Sequence, residues 1–196
     1  VNNQSLQTLD GLDNIMIVNG YCVIDENQSL TNIDGLSNLT TVGEILGITH
    51  NDLLVNLMGL SSLTMCGGLV ITHNQMIENF HGLESLETID KYHLIILHND
   101  NLLNLSGLDN LTAIGTELQI QNNPSLQSLT GINNISYETI EYLDIRFNPD
   151  LTDCDIQSIC DYIADPQGTL WISGNDTGCN SVNEVEEACT VGIPET

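Results

Sequence analysis

The chain has 196 residues, enough for one domain with a substantial core. Lys91 and Arg146 stand against 27 acidic residues, and the formal net charge of −25 excludes nucleic acid and anionic lipid as partners. Apolar residues make up 41%, which excludes a disordered acidic tail, and no apolar run approaches the ~18 residues of a membrane helix, so membrane insertion is not expected.

The first residues, "VNNQSLQTLD", carry neither the basic nor the apolar region of a signal peptide, so the chain reads as a mature form or an excised piece. From there a repeat begins. The Asn that closes each "LxIxxN" recurs at Asn27, Asn51, Asn74, Asn99, Asn123 and Asn148, with Asn3 and Asn175 as outer members. Spacings from Asn3 to Asn148 are 24, 24, 23, 25, 24 and 25. Eight residues after the Asn comes a Gly, at Gly11, Gly35, Gly59, Gly82, Gly107 and Gly131. Two landmarks at a constant offset predict a solenoid.

Within each unit, apolar residues follow the Asn at plus three, six, nine and twelve. They run from Leu6, Leu9, Leu12 and Ile15 in the first unit to Leu126, Leu129, Ile132 and Ile135 in the sixth. Before the next Asn come alternating pairs such as Leu46/Ile48, Leu94/Ile96 and Leu143/Ile145, which predict short strands. One unit cannot bury its apolar side alone, so units stack and their strands pair in parallel ~4.8 Å apart. The Asn stripe is expected inside, its amides bonding neighbouring backbone, because buried polar groups need partners.

The position just before each Asn holds Glu26, His50, His73, His98, Asn122, Phe147 and Gly174. Three imidazoles therefore stack on successive rungs. They are a candidate transition-metal site or pH-sensitive patch. A solvated stack without a ligand is the favoured reading, because side chains in a straight column do not converge on one ion. Outward strand positions form two columns, one running Val23, Gly47, Val70, Ile95, Gln119, Asp144, Trp171 and the other Asp25, Thr49, Thr72, Leu97, Gln121, Arg146, Ser173. Apolar residues also occupy turn addresses that are usually polar, namely Leu53, Val55, Met58, Met76 and Leu103. Val70, Ile95, Leu97, Thr49, Thr72, Val55, Leu103 and Trp171 are the candidate ligand-binding set. Trp171 and Phe147 suit stacking on a sugar ring or anchoring a protein, and burial of Trp171 under a C-terminal cap is the competing expectation.

After Asn148 the pattern changes. Asp153 or Asp155 is expected to cap a short helix reaching about Ala164, before Pro166; "TLWISGN" supplies one more strand, and "SVNEVEEAC" a final helical turn or two. Cys154, Cys160, Cys179 and Cys189 crowd this segment and suggest two disulfides in an oxidising compartment, with zinc as the runner-up. Four Cys allow three connectivities. Cys22 and Cys66 fall on different inward columns and read as buried free thiols. The expected organisation is a repeat solenoid over residues 1–148, a last rung with a Cys-rich cap over 149–190, and a linker or tail over 191–196.

Two stretches, "SLTNIDGLSNLTTVGEILGITHN" and "LLNLSGLDNLTAIGTELQIQNNPSLQSLTGINNI", resemble leucine-rich repeats of the receptor L-domain type. That family includes the ligand-binding L domains of the insulin and epidermal growth factor receptors. The resemblance is closest to secreted multi-rung proteins of marine Bacteroidota, in which a Cys-rich segment ends the array and a sorting domain often follows. It implies a β-rich solenoid, a right-handed coil of about seven rungs with a period near 24 residues, closed by a small helical, disulfide-linked cap. The four Cys match that family's terminal segment, and the preferred pairing is Cys154–Cys179 with Cys160–Cys189, the other connectivities remaining open. The implied role is secreted or cell-surface recognition and adhesion, with a protein or glycan partner and further domains of the same parent chain.

Two other roles remain open from the sequence. One is a ligand-free structural spacer of a larger surface protein. The other is ice binding, which the short Thr49/Thr72 column supports poorly. An enzyme is not expected: no Gly-rich phosphate loop, His-Glu-x-x-His or nucleophile elbow is present. No cofactor is expected. Calcium between Asp10 and Asp34 is weighed against a solvated acidic face, which is preferred. The triplets at Asn38, Asn104, Asn110, Asn134 and Asn175 are glycosylation sites only in a eukaryotic host.

Overall fold

The computed structural model describes residues 2–191. The alternating pairs form strands as the pattern dictates. They are β1 (Ile17–Val18), β2 (Cys22–Asp25), β3 (Thr41–Thr49), β4 (Met65–Thr72), β5 (Thr88–Ile89), β6 (His93–Leu97), β7 (Glu117–Gln121), β8 (Tyr142–Arg146) and β9 (Thr169–Ser173). All belong to one parallel sheet in the order β1-β3-β4-β6-β7-β8-β9, with β2 also on β3 and β5 also on β4. The sheet is open rather than closed into a barrel, and the architecture is solenoid-like.

Register follows the repeat. Leu46 pairs with Leu69, then Leu94, Leu118, Leu143 and Leu170, so each inward position meets its own kind on the next strand. A slip of one residue would turn every one of these side chains outward. The positions at plus three, six, nine and twelve from the Asn are fully buried in the interior units, as in Leu54, Leu57, Leu60 and Leu63. Short 3₁₀ turns at Asp34–Leu36, Met58–Leu60 and Tyr137–Thr139 bend the chain between strands.

The first unit departs from the expectation. Leu6, Leu9 and Ile15 are only half-buried, and Leu12 is 38% exposed. These residues lie at the end of the stack, where the described chain places no turn over them.

Successive turns approach so closely that, from Gly35 to Gly131, the Gly address has no room for a side chain. A Cβ on Gly107, at φ +107°, would lie 2.1 Å from the Phe80 carbonyl oxygen. Backbone of one turn thus touches backbone of the next.

The Asn stripe is continuous. Asn27, Asn51, Asn74, Asn99, Asn123 and Asn148 each donate Nδ2 to Oδ1 of the following member, ending on Asn175, at 3.2–3.5 Å. Each Oδ1 from Asn51 onward also accepts the preceding Asn's main-chain N–H. All seven residues are buried.

Two helices follow β8: α1 (Gln157–Ala164) and, after β9, α2 (Val182–Val191). The expected Asp cap on α1 is absent, since Ile156 occupies the cap position without a side-chain bond. Asp153 is engaged elsewhere, accepting from Ser128 Oγ at 2.5 Å while its carbonyl takes the Leu129 N–H. The array's own cross-strand bonding has claimed it. Ser181 caps α2 by accepting the Glu184 N–H at 3.3 Å. Cys154 is bonded to Cys179 and Cys160 to Cys189, with Cα separations of 5.9 and 5.6 Å, which is the preferred pairing. Cys66 is a buried free thiol; Cys22 is also free but only half-buried, because it borders the exposed first unit. The tail expected over residues 191–196 lies outside the described residues, except that Val191 is the last residue of α2.

Candidate ligand-binding face

Strand alternation sends one set of side chains into the core and the other onto a single outward face. The register aligns Gly47, Val70, Ile95, Gln119, Asp144 and Trp171 in one column and Thr49, Thr72, Leu97, Gln121, Arg146 and Ser173 in the next. Six of the eight sequence-predicted ligand residues therefore share this face: Thr49, Thr72, Val70, Ile95, Leu97 and Trp171. Val55 and Leu103 do not join them. They lie outside the strands, after the Asn stripe, among exposed turn residues that include Leu53, Met58 and Met76.

The middle of the face is less exposed than its apolar composition suggests. Val70, Ile95 and Leu97 are half-buried, because in-register neighbours cover one another's flanks. Thr72 is only 9% exposed, and Thr49 Oγ1 is tied to the Asp25 carboxylate. A regular, open Thr array is thus not formed. Val23 and Asp25 of β2 continue these columns, and among the fourteen positions Asp25, Asp144 and Arg146 are charged, the last two opposing each other.

These two residues form a cluster that sequence reasoning missed. Asp144 is fully buried. Arg146 donates Nε to Asp144 Oδ1 and Nη2 to Oδ2, both at 2.6 Å, a bidentate clamp that fixes the guanidinium plane. Tyr142 donates its hydroxyl to Asp144 Oδ2 at 3.1 Å; burial and then this carboxylate push the phenol pKa up, so the proton stays on tyrosine. The guanidinium carbon lies 5.5 Å from the Trp171 ring centre and 5.7 Å from that of Phe147, within cation–π range. Trp171 is 52% exposed and Phe147 50%, so the indole is not packed away. Phe147 lies against Gly174, where a Cβ would meet its Cδ1 at 2.8 Å. The signal in the sequence is Asp-x-Arg on a strand beside an outward Trp, which puts both charges on one face.

The imidazoles stack as their address predicts. His50, His73 and His98 have φ of 53–56°, the left-handed conformation, shared by Glu26, Asn122 and Phe147. Ring centres are 4.4 Å apart for His50–His73 and 4.6 Å for His73–His98, at interplanar angles of 12° and 27°. Ring nitrogens donate and accept in the ring plane, so stacked rings aim their lone pairs side by side rather than at one point. Among the described residues, no group of three or more His, Cys, Asp or Glu side chains is placed to hold a metal; Asp10 and Asp34 are exposed and belong to no such group.

His50 Nδ1 lies 3.4 Å from Asp25. Burial, then the neighbouring His50 and His98, hold the His73 pKa below its ordinary value. The fold therefore favours neutral His73. The stability this contributes is present above the unfolded value near ~6.5 and is lost as pH falls through the folded one. His73→Asn, which keeps a residue suited to positive φ, is expected to reduce the drop in urea midpoint between pH 7 and pH 5 relative to the parent chain. Equal drops in both proteins would show that the stack is not the titrating element.

Of the glycosylation triplets, Asn175 sits in the buried stripe and is not open to modification as folded. No described helix is long and apolar enough to cross a membrane. Comparison with known proteins finds no matching family model, no matching curated protein and no matching solved structure.

Proposed function

We propose that the chain is a secreted or cell-surface recognition module that offers its outward sheet face to a protein or glycan. One observation carries the reading. In a chain of net charge −25, the fourteen positions of the two central columns carry a net charge of only −1 (Asp25, Asp144 and Arg146) and hold Val70, Ile95, Leu97 and Trp171. Charge depletion with aromatic residues and Arg is the composition of contact surfaces. A stacked array is also stiff, so the face needs little ordering before it binds. The two disulfides support an oxidising, extracellular setting.

Within this reading the repeat is of the leucine-rich, receptor L-domain-like type: about seven rungs of a right-handed coil, with α1, β9 and α2 as a cross-linked cap over its last rung. The period of 23–25 residues and the buried Asn stripe support that assignment. The module is a binder rather than an enzyme. Asp144 is buried and clamped by Arg146, and Asp25 is tied to Thr49 Oγ1, so the charged groups of the two columns are engaged within the sheet rather than converging on a cleft.

Glycan and extracellular-protein arrays probed with the purified chain test this. Bound spots are expected to fade at least roughly tenfold for Val70→Glu combined with Ile95→Glu, and to persist for Leu53→Glu combined with Met76→Glu on the turns. Binding that survives the face substitutions, or a parent chain that binds nothing on either array, would overturn the reading, the latter in favour of a spacer.

A further inference from the structure

We infer that the corner formed by Trp171, Arg146 and Phe147 is a subsite for one pyranose ring of an uncharged glycan, an inference that rests on the recognition reading above.

Charge decides the class of ligand first. The single Arg on this face is spent on Asp144, so the corner offers no net positive charge to a phosphate, sulfate or uronate. The surrounding chain is strongly anionic and repels such groups. An uncharged ligand meets neither obstacle. The clamp nevertheless leaves hydrogen-bonding capacity. Nε and Nη2 are engaged, while among the described residues Nη1 donates to no protein group. Its two N–H groups are held in a fixed plane between the rings, ready for a pair of adjacent hydroxyls.

The neighbouring strands extend the same chemistry. Gln121 Nε2 donates to Gln119 Oε1 at 3.4 Å, and Gln119 Nε2 donates to Glu117. Each amide in this chain keeps further donor or acceptor capacity, so both kinds of group lie side by side. Hydroxyls, which donate and accept at once, match such a surface. Two half-exposed aromatic faces supply the apolar side that a pyranose presents along its C–H bonds.

Strand spacing argues for a chain of sugars rather than a single one. Ser173, Arg146 and Gln121, none of them fully buried, occupy one column beside Trp171, one per strand at ~4.8 Å, close to the length of one sugar unit. A glycan crossing the strands would meet a new side chain at each unit.

A protein partner fits this corner less well. A protein anchor seeks a pocket in which it is fully desolvated. Here the rings stand out from the sheet, Trp171 52% and Phe147 50% exposed, so neither offers a partner side chain full desolvation.

Trp171 is the chain's single tryptophan, so its fluorescence reports directly on the subsite. The purified chain would be titrated with cello-, laminari-, xylo- and mannohexaose, and separately with oligogalacturonate as the anionic arm, with calorimetry in parallel. At least one uncharged hexaose is expected to shift Trp171 emission and bind at millimolar concentration or below. Trp171→Ala should abolish the calorimetric signal, Trp171→Tyr should retain part of it, and Arg146→Lys should weaken binding roughly tenfold, because an ammonium does not reproduce the planar fork. Preference for oligogalacturonate, no response to any uncharged hexaose, or an unchanged affinity in Trp171→Ala would each overturn the inference. Array binding that is lost in the Val70/Ile95 variant but kept in Trp171→Ala would sink this subsite alone and leave the wider face standing.

Discussion

Asn99→Leu is expected to lower the unfolding free energy by ~3 kcal/mol or more, although leucine fits the volume and the surroundings are apolar. Asn99 Nδ2 donates to the carbonyls of Ile71 at 3.0 Å and Leu97 at 3.1 Å and to Asn123 Oδ1 at 3.3 Å. Its Oδ1 accepts the Asn74 N–H at 3.1 Å. Leucine would strand that N–H and deprive buried carbonyls of a partner, and each buried group left unpaired costs ~1–3 kcal/mol. Asn99→Asp is expected to do similar damage at constant size, since a carboxylate oxygen would face carbonyl oxygens where a donor now sits. Urea denaturation followed by circular dichroism measures both. Asn101→Leu, on an exposed neighbour, is the control and should stay within ~0.5 kcal/mol of the parent. A loss below ~1 kcal/mol for Asn99→Leu would mean that the stripe is ornament rather than skeleton.

The second large effect concerns the disulfides. They close loops with sequence separations of 25 and 29, for which chain entropy alone gives ~3–4 kcal/mol each. Cys160–Cys189 ties α1 to α2, and Cys154–Cys179 ties the segment before α1 to the loop before α2. Replacing all four Cys by Ser is expected to melt this region before the rest and to lower the first thermal transition by well over 10 °C, given ~2–4 °C per kcal/mol for a chain of this size. Thiol counting provides the complement. Burial, with a smaller contribution from Asp90, pushes the Cys66 thiol up to about 12, and burial also raises Cys22. The native protein at pH 8 should therefore react slowly with a maleimide at these two sites, while mild reduction should make the half-buried Cys160 and Cys189 the fast-reacting thiols. Rapid labelling of Cys66 in the untreated chain, or a quadruple variant that melts like the parent, would contradict these expectations.

Most of the fold is legible because a single period governs it. Once Asn27, Asn51 and Asn74 are set in phase, the inward columns, the Asn stripe, the imidazole stack and the pairing of Leu46 with Leu69 all follow from counting. Counting fails where the environment changes from one unit to the next. Leu12 shares its address with buried Leu60 but lies at the end of the stack. Asp153 has the composition of a helix cap but is drawn to Ser128. Thr72 and Val70 point outward yet are partly covered, because the width of neighbouring side chains, which periodicity ignores, decides their exposure. The Asp144–Arg146 clamp was within reach, since both residues fall in adjacent outward columns. What the sequence does not reveal is that the carboxylate is buried and holds the guanidinium between two aromatic rings.

The six successive left-handed residues impose a filter on variation. Glu26, His50, His73, His98, Asn122 and Phe147 differ in charge, size and polarity, yet none is β-branched, the class that positive φ excludes most strongly. The backbone thus sets which side-chain shapes are admissible at that ridge while leaving their chemistry open. New chemistry can be installed there one position at a time without disturbing the wall behind it.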